Sequence, residues 1–149
     1  PGTTCLHKET FVRGKGKFTP LHYKPPAERA DAEYPLILTT GRSLYQFHTG
    51  TMTRKTEGLN TLRPEELVEM NPKDASTLGI ADGDQVRVSS RRGTVQAKAM
   101  VTEKSSTGTI FMTFHFAESA TNLLTNTATD PISKIPELKV CAVRVEKAN

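Results

Sequence analysis

The chain has no tryptophan, only two cysteines, and no apolar run approaching the roughly 20 residues that a helix needs to cross a bilayer. Cys5 and Cys141 lie near opposite ends, and neither has a partner at metal-ligand spacing. That excludes a disulfide framework and a zinc site, and it fits a reducing, cytoplasmic setting. There is no charged-then-apolar amino terminus of the kind that directs export. No Cys-x-x-Cys set is present for an iron–sulfur cluster, and no Gly-Lys-Ser/Thr loop for a nucleoside triphosphate. No Ser, His and Asp stand at recognisable catalytic spacing, and Glu118 close after His115 does not by itself make an acid–base pair. The residues alone therefore describe a binding domain rather than a complete enzyme.

Apolar residues make up 36% of the 149, a low share for a globular domain. Part of the chain is thus expected to run over the surface, or to pack against something outside it. The chain begins at Pro1 rather than at a methionine, and reads as a piece or processed product of a longer protein. The formal charge of +4 suits a partner carrying phosphates, although so modest a balance is common. Residues 1–33 hold much of the Lys, Arg, Gly and Pro, including Arg13-Gly14-Lys15-Gly16-Lys17 and Lys24-Pro25-Pro26. Glycine and proline break both helical and strand periods, so this stretch is expected to be an extended arm with one short strand near Phe18. A nucleic-acid patch would need interleaved aromatics for stacking; Phe11 and Phe18 are all there is, and a solvated arm is the preferred reading.

From residue 34 to 149 the pattern is mainly β. Tyr34-Pro35-Leu36-Ile37-Leu38 reads as a buried strand, and Leu67-Val68-Glu69-Met70 as a short one. Asn71-Pro72 opens a helix over Lys73 to Leu78: Asn caps, and Pro lacks an N–H that would be orphaned anyway. Gly79 closes it, and Asp82-Gly83-Asp84 turns the chain. Val86 and Val88 alternate with polar residues, Arg92-Gly93 turns, and Val95, Ala97, Ala99 and Val101 alternate on the way back. Thr109 to Phe114 forms a more apolar strand. Leu138 to Val145 supplies the last, with Leu138, Val140 and Ala142 expected to face one way. Five or six strands, one clear helix and few simple hairpins predict a crossed, pseudo-symmetric barrel with helical insertions.

Polar groups concentrate at three strand ends. The first follows the opening strand, in Thr39-Thr40-Gly41-Arg42-Ser43-Leu44-Tyr45-Gln46-Phe47-His48-Thr49-Gly50-Thr51-Met52-Thr53-Arg54. A strand breaking into a glycine- and hydroxyl-rich loop brings backbone N–H groups up to an anion. The second runs from Thr113 through His115 and Glu118 to Asn122, and the third from Asp130 to Lys139. Brought together, they suit a pyrophosphate joined to a hydrogen-bonding heterocycle, with Arg and Lys for charge and Asn and Gln for base edges. Each has a plainer alternative. Arg42 and Lys139 can be surface charges, His48 and His115 core or surface histidines, Gly41 and Gly50 turn glycines, and Asn122 a helix cap.

These segments resemble a known family. Tyr34 to Arg42 with Tyr45 to Arg54, and Ala120 to Thr125 with Asp130 to Glu137 and Cys141 to Val143, are similar to the carboxy-terminal domain of molybdenum- or tungsten-dependent formate dehydrogenase catalytic subunits. Asn71 to Asp84 resembles the molybdopterin-dinucleotide-binding domain of the wider dimethyl-sulfoxide-reductase family. The resemblance covers essentially the whole chain. It implies a double-psi β-barrel of the aspartate-decarboxylase-like kind that closes over a pair of molybdopterin guanine dinucleotides carrying Mo or W. The metal-ligating residue and the iron–sulfur clusters would lie in upstream domains, which would be its partners together with electron-transfer subunits. By position, the cofactor contacts would be Thr40, Gly41, Arg42, Gln46, His48, Thr49, Thr51 and Met52, joined by His115, Asn122 and Lys139. The same domain in another family member, such as a nitrate reductase, is the alternative; a basic nucleic-acid-binding barrel is the disfavoured one.

Overall fold

A computed structural model describes residues 2–148. Six strands carry the fold: β1 (Leu36–Gly41), β2 (Leu67–Met70), β3 (Gln85–Ser89), β4 (Thr94–Val101), β5 (Thr109–Thr113) and β6 (Cys141–Lys147). They close into a barrel in the order β1-β5-β2-β4-β3-β6. β1 runs parallel to β5 and β2 parallel to β4; the remaining neighbours are antiparallel. Exchanging β1 with β4, β2 with β5 and β3 with β6 leaves every pairing unchanged. The first three strands and the last three are thus topological copies, and each parallel pair interleaves the two halves. This is the double-psi β-barrel, mainly β as expected, and β3–β4 is its one simple hairpin among the described residues.

Alternation fills the interior. Leu38, Val68, Met70, Val86, Val88, Ile110, Met112 and Val143 are fully buried, each worth roughly 1.5–3 kcal/mol of apolar burial. β6 starts at Cys141 rather than Leu138. Cys141, Val143 and Val145 face the barrel core, while Ala142, on the other face, is fully buried as well. Pairing decides this, because Cys141 lies opposite Leu38 and Val145 opposite Val88, both core residues. Within β6 itself the unbroken apolar run had no period to read.

Helix α2 (Pro72–Leu78) behaves as its ends dictate. Asn71 Oδ1 accepts the Lys73 N–H at 3.0 Å, and Gly79 adopts the left-handed conformation at φ 65°. A second helix, α1 (Glu57–Leu62), was not expected, since a short stretch with Gly58 and no apolar stripe carries little helical signal.

The arm is extended, but the strand near Phe18 does not form; Phe18 is fully exposed, and only a Phe11–Gly14 bridge interrupts the stretch. Leu6, Val12, Leu21 and Tyr23 are also exposed. Only its last part is fastened to the barrel. Glu28 accepts hydrogen bonds from Arg91 (2.9 Å), Arg92 (2.8 and 3.0 Å) and the Ala142 N–H (3.1 Å). Burial pushes the Glu28 carboxyl up, but the hydrogen bonds from Arg92, Ala142 and Arg91 outweigh it and hold the group below the ordinary glutamate range. Asp31 binds the same Arg91, whose guanidinium stacks 4.6 Å from the Tyr34 ring.

Candidate cofactor-binding site

β1 and β5 end side by side, with Gly41 opposite Thr113, so the loops that follow leave the barrel at the same place. Gly41 has to be glycine there: an added Cβ would sit 2.5 Å from Phe111 Cε2, whose ring lies against the strand. Thr40 is buried; its Oγ1 donates to the Leu138 carbonyl at 2.6 Å, and its own carbonyl accepts from Lys139 Nζ. The third polar region therefore meets the first at this point. Its remaining part, 130–136, turns back on itself through hydrogen bonds to Asp130 and stays exposed.

The loop after β1 is braced from within. Gln46 is buried, with Oε1 accepting from Thr53 Oγ1 at 2.6 Å and Nε2 donating to Asn60 Oδ1 at 3.3 Å. Asn60 in turn donates to the Arg54 carbonyl at 2.6 Å. Gln46 thus braces the loop through one of its amide donors and one of its acceptor sites. His48 takes a left-handed φ of 52°, which few non-glycine residues adopt, and exposes its imidazole 5.5 Å from the Phe114 ring. Thr49 and Thr51 share a hydrogen bond at 2.9 Å on the surface. Leu44, Phe47 and Met52 are exposed around them, an apolar rim with no cover inside this chain. Arg42 is exposed and makes no side-chain hydrogen bond or ion pair among the described residues.

Arg54 joins this loop to the one after β5. It donates to the His115 carbonyl at 3.4 Å and to Glu118 at 2.8 Å, with its guanidinium 5.0 Å from the Phe116 ring. His115 is buried, and neither ring nitrogen has a hydrogen-bond partner. Burial, with Arg54 and Arg63 nearby, lowers its pKa to about 4, so the ring is neutral at pH 7. A neutral imidazole carries one donor and one acceptor, and here both are unspent. Asn122 is not a helix cap: it lies exposed inside a 3-10 turn, Thr121–Leu123, preceded by Ala120. That turn crosses β4 and the β3–β4 hairpin, where Ser119 donates to the Gln96 carbonyl at 2.9 Å. No hydrogen bond ties Asn122 to the loop after β1 among the described residues. The site residues thus gather around Thr40, His48, Arg54 and His115, with Asn122 on a separate crossing.

Two groups here escaped the sequence reading. Glu66 is buried and accepts from Thr113 Oγ1 (2.6 Å), the Thr113 N–H (3.1 Å) and the Leu67 N–H (3.1 Å), pinning the end of β5. Desolvation raises its pKa in spite of those donors and the charge of Arg63. The signal was present, since residue 66 shares the period-2 phase of buried Val68 and Met70. Arg63 is the other; its Nε and Nη2 are buried without a hydrogen-bond partner, and Glu69 is 3.9 Å away. No three His, Cys, Asp or Glu side chains cluster as a metal ion would require, among the described residues. The end of the barrel presents free cations, a neutral imidazole and hydroxyls, the donor set of an anionic organic ligand.

Comparison with known proteins agrees with this chemistry. The chain is 56% identical, over 99% of its length, to the F420-dependent formate dehydrogenase 2 subunit alpha of Methanococcus maripaludis. It is 51% identical, over 98%, to the F420-dependent formate dehydrogenase subunit alpha of Methanocaldococcus jannaschii. It spans 22% of the length of each of these curated relatives. Acetylene hydratase from Pelobacter acetylenicus shares the fold, at a TM-score of 0.69 and 20% identity, over 78% of this chain and 19% of that one. The model of the molydopterin dinucleotide binding domain matches residues 36–142, which span the barrel from β1 into β6. The chain belongs to the molybdopterin dinucleotide binding domain family.

Proposed function

We propose that this chain is the dinucleotide-holding domain of a formate dehydrogenase catalytic subunit. The observation that carries the reading is 56% identity along nearly the whole chain to a formate dehydrogenase alpha subunit, with the flanking loops included. The dinucleotide is the guanine form, carrying Mo or W, as the family resemblance implies. The metal ligand and the iron–sulfur cysteines belong to upstream parts of the subunit, and the assembled enzyme works in the cytoplasm beside electron-transfer partners. The relatives' names make F420 the acceptor to test first.

The residues fit the cofactor. His115 offers a buried, unspent donor and acceptor, and Arg42 and Lys139 add positive charge at the end of β1. Thr40, Gly41, His48, Thr49, Thr51 and Met52 belong to the same loop, while Asn122 stands apart on the crossing over the hairpin. Gln46 acts by holding that loop in shape. When bound, the cofactor supplies the two-electron chemistry by which formate becomes carbon dioxide, two electrons and a proton. The chain's own residues bind and orient it, and keep His115 neutral so that no extra charge sits beside it. Two measurements test this. The complete subunit should release a pterin dinucleotide on denaturation and oxidise formate, whereas the 149-residue chain alone should do neither reaction step. Formate oxidation by the isolated chain, or a complete subunit free of pterin, would overturn the proposal.

A further inference from the structure

Asn122 stands two residues before Leu124, and it is at Leu124 that its crossing is fastened. The fully buried Leu124 turns its carbonyl to the β3–β4 turn, where it accepts from Arg92 Nε at 3.1 Å and Nη2 at 2.9 Å. The Cys141 thiol donates to the same oxygen at 3.1 Å. The other edge of the Arg92 guanidinium faces the arm, with Nη1 and Nη2 donating to the Glu28 carboxylate at 3.0 and 2.8 Å. One planar group thus holds the crossing on one edge and the arm on the other, which its rigid fork allows and a lysine ammonium does not reproduce. Beside it, Gly93 lets the crossing come close: an added Cβ would lie 3.2 Å from the Leu123 carbonyl oxygen. A second tie runs through Glu137, whose carboxylate accepts from the Ala27 N–H at 3.2 Å and from Asn126 Nδ2 at 2.9 Å. Between these ties, arm and crossing line an open cleft of about 500 Å³, with Arg29, Asp31 and Thr127 on its walls. Of the other charges, Arg91 pairs with Glu28 and Asp31, and Arg144 lies 3.3 Å from Glu146, so Arg92 is the cation that bridges to the crossing.

We infer that Arg92, oriented by Glu28, is a positioning residue: the seating of the arm on the barrel sets where the Asn122 turn stands. Ser119 fixes the near end of the crossing to the Gln96 carbonyl. Without Arg92 the turn over Thr121–Leu123 keeps that anchor but is loosened at Leu124, on its far side. The inference rests on the dinucleotide reading above in one respect, that Asn122 is a cofactor contact. The tie from arm to crossing stands on the hydrogen bonds alone.

The test uses the complete subunit. Hydrogen exchange read by mass spectrometry follows the amides of Leu123, Leu124 and Thr125, which donate within the turn. Arg92→Gln should quicken their exchange about tenfold and Glu28→Gln about threefold, with β1 and β5 unchanged and Arg92→Lys recovering little of the loss. Exchange unchanged in both variants, or raised equally in every strand, overturns the tie. Glu28→Gln keeps the test valid if Arg92→Gln does not fold. A second measurement is the rate at which pterin dinucleotide leaves the subunit. Asn122→Ala and Arg92→Gln should each raise it about threefold, and the double variant should raise it no further, because both act through one contact. Additive effects, or a rate indifferent to Arg92→Gln while exchange at the crossing rises, overturn the positioning role and leave the dinucleotide reading standing. A wild-type subunit without any pterin removes that reading instead, and quickened exchange in the variants then still supports the tie between arm and crossing.

Discussion

Two arginine-rich regions of this barrel are built on opposite terms. At the β3–β4 turn, Arg91 and Arg92 close on Glu28 and Asp31 of the arm, and every charge has a partner. At the end of β1 and β5, Arg42, Arg63 and His115 have unspent hydrogen-bonding groups, although Arg63 lies 3.9 Å from Glu69, and Arg54 binds the exposed carboxylate of Glu118. Both regions hold polar groups away from water; the guanidiniums of the first, Arg91 and Arg92, are satisfied within the chain, although Nε of neighbouring Arg144 makes no hydrogen bond. Buried polar groups are ordinarily hydrogen-bonded, so a concentration of exceptions is where an outside ligand is expected. The clasp is structural; the barrel end is prepared for something else.

Substitutions should separate the two. Glu28→Ala leaves Arg92 facing only the Leu124 carbonyl and Cys141, and frees the arm; we expect a loss of about 2–3 kcal/mol, read from urea denaturation. An effect below about 0.5 kcal/mol would mean that the clasp is an incidental surface pair. His115 should show itself through pH. Its folded pKa, about 4, lies below the ordinary 6.5, so its contribution is complete above pH 6.5 and drains away as the pH falls toward 4. Glu66 acts in the opposite sense, since its raised pKa favours the fold below its ordinary 4.5 and loses that advantage as the pH climbs through the folded value. Glu66 is common to the wild type and His115→Gln, so comparing the two isolates the histidine. From pH 6.5 to 5 the urea midpoint of the wild type should fall relative to that of His115→Gln; equal slopes would remove the imidazole from the account.

Smaller effects are expected from the exposed loop. His48→Gly relieves a left-handed backbone at φ 52° and should change stability by no more than about 1 kcal/mol, in the favourable direction, while reducing the dinucleotide retained by the complete subunit. Arg42→Gln removes an exposed, unpaired charge and should leave the isolated chain within about 0.5 kcal/mol of wild type. A large loss there would show that Arg42 holds the fold rather than a ligand.

Legibility in the sequence followed the strength of local rules. Asn71-Pro72 and Gly79 marked α2 because cap geometry needs those residue types, and the alternating valines marked β3 and β4 because one face meets the core and the other water. Which face of β6 meets the barrel core was not legible, since Val140, Cys141, Ala142 and Val143 are all small or apolar and the pattern carries no preference between faces. The loop after β1 stood out for its glycines and hydroxyls, and His115 for lying just past an apolar strand. Arg63 and Glu66 did not: a cation and a carboxylate near a proline look like surface until a neighbouring strand buries them. Gln46 was legible as a polar loop residue, but its bonds to Thr53 and Asn60 across the loop were not.

Local order was thus settled by the residues themselves: which segments alternate, where α2 starts and stops, and where the polar loops leave the strands. These depend on neighbours within a few positions, where backbone geometry and side-chain type act directly. Which loops meet, which face of β6 turns inward, and which charges find partners were decided only in the closed barrel. Those outcomes rest on contacts between residues far apart in the chain, Thr40 with Lys139, Glu66 with Thr113 and Glu28 with Arg92. Only closure of the barrel brings such pairs out of water together, and that is what leaves the His115 ring and two Arg63 nitrogens without a hydrogen bond.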